Sequence, residues 1–131
     1  ATRLNRWVED QFVAFGPDDE ASPVRVKGPQ VFEQYVCWRT MEGHTANWIL
    51  SLIELHKATG EKVYLDKAKA AANAICSEQY EDGQFSTWGR DYQTGIAFPG
   101  ENELVKNWYN GNAFADWALY KLTLYVKDLK Q

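Results

Sequence analysis

Two stretches of this chain, Thr45–Ala58 and 107–128, carry apolar residues almost all the way round a helix. In the first, Ile49, Leu50, Leu52, Ile53 and Leu55 cover most of the circumference, with Trp48 beside them. In the second, Phe114, Trp117, Ala118, Leu119, Leu122, Tyr125 and Val126 are broken at mid-helix only by Asp116, Lys121 and Thr123. A helix apolar on every side is a buried one, so both stretches demand cover from other elements. With 131 residues, the chain has little else to cover them with.

What else there is alternates with them. Residues 3–15 place Leu4, Trp7, Val8, Phe12 and Phe15 at helical spacing between charged residues, which predicts a one-sided helix stopped by Gly16-Pro17. Residues 62–79 set Leu65, Ala68, Ala72 and Ile75 on one stripe, with Lys62, Asp66, Lys67, Lys69 and Asn73 elsewhere. The order is outer helix, long loop, inner helix, short turn, outer helix, long loop, inner helix, with 30–38 as a candidate fifth helix. Thr59-Gly60 closes the first inner helix through a left-handed cap, and the short turn forces its successor to run antiparallel. The fold class is therefore all-α, built of antiparallel helical hairpins. Both long loops are expected at one rim, beside the starts of the inner helices, where free N–H groups point outward. Long loops on a rigid scaffold are where function concentrates.

Composition narrows the partners. A net charge of −4 and the lack of a basic face argue against nucleic acid. No run approaches the roughly 20 apolar residues of a membrane span. The chain begins without Met, which suggests a processed or trimmed product. Cys37 and Cys76 fit no metal-ligand spacing and read as buried free thiols, with one disulfide as the other reading. Phosphate-loop, dinucleotide, zinc-protease and nucleophile-elbow motifs are all lacking, so no cofactor and no metal are expected. His56, mid-helix beside Leu55, reads as structural. Asp82-Gly83 reads as a turn.

Aromatic residues make up 15% of the chain, and many fall in the long loops. The first loop delivers Glu33, Tyr35, Trp38, Arg39, Glu42 and His44 to the start of an inner helix, with Asn47 on its first turn. Thr45 or His44 serves as its cap on the plainer reading. The second loop, from Tyr80 to about Lys106, delivers Trp88, Arg90, Asp91, Glu101 and Glu103, and the NWYNGN segment then adds Trp108 and Asn110. Flat rings mixed with amides suit pyranose sugars, which offer C–H faces and hydroxyl edges.

The segment LIELHKATGEKVYLDKAKAAANAI resembles the repeating hairpin of the α/α toroids, the six-hairpin glycosidase-like architecture. SEQYEDGQFSTW is similar to their loops of an Asp-Gly pair followed by an aromatic residue. The resemblance runs from about Gly43 to Val126 and is one of architecture, shared by glycoside hydrolases, polysaccharide lyases and terpenoid cyclases. The last are disfavoured by the lack of an aspartate-rich motif.

Twelve helices of about 11–12 residues, with loops, need on the order of 300 residues. The single helical domain 1–131 is thus expected to be the C-terminal portion of a larger ring, a partial toroid; an independent small bundle is the other reading. Remaining hairpins or another copy of the chain would cover the inner helices. The resemblance implies an oligosaccharide or polysaccharide partner, a role in carbohydrate metabolism and a secreted or periplasmic location. A hydrolase needs two carboxylates, for which Glu33, Glu42, Asp91, Glu101 and Glu103 are candidates. A lyase needs a base such as His44 or Tyr35, with Arg90 and Asn110 neutralising the uronate. Tyr35, Trp38, Asn47, Trp88, Arg90, Trp108 and Asn110 are the expected sugar contacts. A non-catalytic module binding glycan or protein is the alternative.

Overall fold

The computed structural model describes residues 1–14, 28–31, 40–85 and 109–131, with Tyr109 and Asn110 described by backbone alone. Among the described residues four helices dominate: α1 (Thr2–Phe12), α2 (Glu42–Thr59), α3 (Lys62–Ser77) and α4 (Tyr109–Asp128). Two two-residue strands, β1 (Val13–Ala14) and β2 (Gln30–Val31), pair antiparallel with Val13 opposite Val31. This pairing explains why α1 ends before Gly16: Val13 turns extended, with φ −108° and ψ 121°, to meet its partner strand. The candidate fifth helix begins instead as β2.

The hairpin α2–α3 forms as expected. Gly60 takes the left-handed conformation at φ +72° and donates its N–H to the His56 carbonyl at 2.8 Å. Only Gly60 and Glu61 separate the two helices, so they lie antiparallel. A contiguous core runs from Ile49, Leu52 and Ile53 of α2 to Leu65, Ala68 and Ile75 of α3 and Ala115, Ala118 and Leu122 of α4. Four alanines of α3, Ala68, Ala71, Ala72 and Ala74, are buried and keep this side of the helix slim.

α2 and α4 run parallel. At their starts, a methyl on Gly43 would sit 3.8 Å from Gly111 Cα; toward their ends His56 Nδ1 is 2.6 Å from the Tyr125 hydroxyl. His56 is thus structural, as its sequence position suggests. The tight Asp82-Gly83 turn also forms: Gly83 has φ +86°, and the Gln84 N–H donates to Asp82 Oδ1 at 3.0 Å.

Three expectations fail. The stripe predicted for α1 packs only in part: Val8 and Phe12 lie against the core, but Leu4 and Trp7 are exposed, and Asn5 and Glu9 are buried beside them. Hydrogen bonding decides this. Trp48 Nε1–H donates to Asn5 Oδ1 at 3.1 Å, Asn5 Nδ2 donates to Glu9 Oε1 at 2.8 Å, and Glu9 Oε2 accepts from Lys67 Nζ at 2.6 Å. Second, α4 is not enclosed. Ala115, Ala118 and Leu122 face the core, but Phe114, Trp117 and Tyr120 are 43%, 49% and 55% exposed. Among the described residues α2 and α3 are the helices that pack against α4, and they cover one side of it. Third, Cys76 lies exposed on the last turn of α3 as a free thiol; partial burial of its sulfur still pushes its pKa up. Cys37 falls outside the described residues.

Candidate functional site

The rim where α2 and α4 begin is built from the chain inward. Met41 precedes α2 in extended conformation without a side-chain cap, so neither His44 nor Thr45 fills that role. Thr45 instead donates to the Met41 carbonyl at 2.8 Å and accepts the Val31 N–H at 3.0 Å, tying β2 to the first turn of α2. The Met41 N–H donates to the Val31 carbonyl at 2.9 Å. Gln30, Thr40, Glu42 and Thr45 are all fully buried here. The Gln30 amide and the Thr40 hydroxyl find no hydrogen-bond partner among the described residues. A buried polar atom left so costs about 1–3 kcal/mol.

Across the rim, the segment leaving α3 is stitched to the start of α4. The Phe85 N–H donates to Asn112 Oδ1 at 2.7 Å, and Asn112 Nδ2 donates back to the Phe85 carbonyl at 3.4 Å. Phe85 is buried beneath that pair. The Asn112 amide, read from sequence as part of a sugar-contacting segment, is therefore engaged in holding two elements together.

His44 and Asn47 point elsewhere, into a cleft of about 830 Å³ between α1 and α2. Leu4 and Val8 form its α1 wall; Leu50, Ser51, Glu54 and Ala58 continue its α2 wall away from the rim. The volume suits a sizeable ligand or an inserted helix. The lining is mainly apolar, and Glu54 supplies its only charged side chain among the described residues. His44 and Glu54 are ten residues apart on one helix, about 15 Å along its axis. A glycosidase pair is two carboxylates roughly 5–9.5 Å apart, and among the described residues the cleft wall carries one carboxylate, Glu54. Among the described residues no group of three or more His, Cys, Asp and Glu gathers as a metal site.

Of the expected site residues, the structure brings His44 and Asn47 together and buries Glu42. Glu33, Tyr35, Trp38, Trp88, Arg90, Asp91, Glu101, Glu103 and Trp108 lie outside the described residues, as does the Asn110 side chain. The cleft itself was not anticipated. Its one sequence signal is the run Asn47, Ser51, Glu54, Ala58, a small or polar line at three- and four-residue spacing on an otherwise apolar helix.

No protein-family model and no curated protein sequence matches the chain. Among the described residues no helix is long and apolar enough to cross a membrane.

Proposed function

We propose that this chain is an α/α-toroid segment whose rim contributes one side of a saccharide groove, in an enzyme of the glycoside hydrolase or polysaccharide lyase kind. One observation carries the reading: α2 and α4 start side by side, at Gly43 and Gly111, and run parallel. Parallel inner helices with antiparallel outer ones are what the hairpin resemblance implies. The described residues next to each helix start support the reading: Met41 bonds to Val31 just before α2, and Phe85 bonds to Asn112 on the first turn of α4. In this reading Trp88 and Trp108 stack on sugar faces, while Arg90 and Asn110 bind oxygen substituents. Glu33 and Asp91 are the carboxylates of a hydrolase, and His44 is the base of a lyase.

Titration calorimetry against a panel of neutral and uronate-containing oligosaccharides tests it. Trp88→Ala and Trp108→Ala each reduce affinity about tenfold or more, the scale of one lost ring stack, with the circular dichroism spectrum unchanged. Absence of binding by the native chain, or equal binding by both variants, overturns the reading. New reducing ends mark a hydrolase, and unsaturated uronate products mark a lyase.

A second reading, a non-catalytic helical module, is favoured by the cleft. It is large and apolar, and among the described residues it brings no carboxylate pair together.

A further inference from the structure

The packing of α4 on α2 supplies a register. Gly111 lies at Gly43 and Tyr125 at His56, an offset of 68 residues at one end and 69 at the other. At an offset of 68, buried Ala46, Ile49, Leu52 and Ile53 of α2 correspond to Phe114, Trp117, Tyr120 and Lys121 of α4. Those α4 positions form its exposed face. The converse also holds: the cleft wall of α2, Asn47, Leu50, Ser51, Glu54 and Ala58, corresponds to Ala115, Ala118, Leu119, Leu122 and Val126. Those are the positions through which α4 packs within its own chain. Each helix thus has one donating and one receiving side. In α2 the receiving side is an open cleft, and in α4 the donating side is bare.

We infer that α4 of one copy inserts into the α1–α2 cleft of a second copy, parallel to that copy's α2, in a head-to-tail assembly. Dimensions agree. Phe114 to Leu124 spans about 15 Å of helix, and the cleft from His44 to Ala58 runs about 21 Å. Charge agrees as well. At this register Glu54 of the receiving copy is level with Leu122, one residue from Lys121 of the inserted helix. Lys121 Nζ already lies 4.5 Å over the Trp117 ring, on the bare face. Among the described residues Glu54 pairs with exposed Lys57, a contact that exchanges at little cost.

The three half-exposed rings of α4 contribute on the order of 300 Å², below the ~800 Å² per partner of a standard interface, so assembly depends on concentration. A head-to-tail contact leaves a cleft and an α4 open at either end, so growth continues past the dimer into a ring or filament. This inference does not rest on the saccharide reading.

Sedimentation velocity of the full chain over a wide concentration range reads it out. The native chain passes from monomer to species larger than a dimer. Trp117→Ala removes the donor and Ser51→Trp blocks the cleft; each position is exposed, and circular dichroism confirms that both variants fold. Each alone stays monomeric, and an equimolar mixture of the two forms a single 1:1 complex. Glu54→Lys and Lys121→Glu each weaken association about tenfold or more, and the double variant restores it. A native chain that stays monomeric throughout overturns the inference, as does a mixture that forms no complex. So does dissociation by the α4 substitutions with Ser51→Trp and Glu54→Lys unaffected, the signature of two α4 helices meeting about a two-fold axis.

Discussion

Asn5 is the residue on which the seating of α1 turns. It accepts from the Trp48 indole and donates to Glu9, whose other oxygen meets Lys67, so three helices are joined by one run of polar contacts. Replacing Asn5 with Leu leaves a buried indole N–H without its acceptor and Glu9 Oε1 without its donor, Lys67 still meeting the other oxygen. The expected loss is about 2–3 kcal/mol, measured as a lowered urea midpoint with unchanged slope. Lys67→Met costs less, about 1–2 kcal/mol, because Lys67 is partly exposed and Asn5 still serves Glu9. Cys76 offers a second measurement at this scale. Burial of its sulfur raises its pKa, so less thiolate is present at a given pH than in free cysteine. Its alkylation, followed by peptide mapping, reaches half its maximal rate at a higher pH than free cysteine does.

Among the elements, the α2–α3 hairpin was legible and the role of α4 was not. All-round apolarity, a Gly after Thr59 and a one-sided successor leave few alternatives for 42–77, and the structure differs there by only a few residues at the helix ends. For α4 the same apolar pattern states that burial is favourable, but a pattern in one helix cannot say whether a neighbour exists to supply it. Part of the packing side of α1 was misread because apolar periodicity weighs Leu4 and Trp7 and gives no weight to Asn5 and Glu9, which find partners 43 and 58 residues away. The turn gives a prediction at this scale. Gly60 has open space around its Cα but a positive φ, so Gly60→Ala costs about 1 kcal/mol from backbone strain alone. Gly28 is constrained for the opposite reason: a methyl there meets Ala74 Cβ at 3.1 Å, so Gly28→Ala requires α3 to give by a few tenths of an ångström. Tyr125→Phe removes the bond to His56 that aligns the far ends of α2 and α4, for about 1 kcal/mol by chemical denaturation.

For the molecule as a whole, α2 is the centre: it packs on α3 and on α4, and the core is contiguous through it. Ile49→Ala therefore lowers stability by about 2–5 kcal/mol and lowers the protection of α3 and α4 together in one cooperative unfolding step. The candidate site was partly legible. His44 and Asn47 were found from the end of a long loop and the start of a helix, both local signals. The cleft they face was not, because its other wall belongs to α1, some 40 residues earlier in the chain.

The polar run through Asn5 has a kinetic side as well. α1 meets the rest of the described fold through it, through half-buried Val8 and Phe12, and through one short strand pair. Such an element swings away at a lower free energy than the hairpin behind it, so its amides exchange with deuterium first. Because α1 is also a wall of the cleft, whatever settles there must hold that wall shut, and slowed exchange over Thr2–Phe12 becomes a reporter of occupancy.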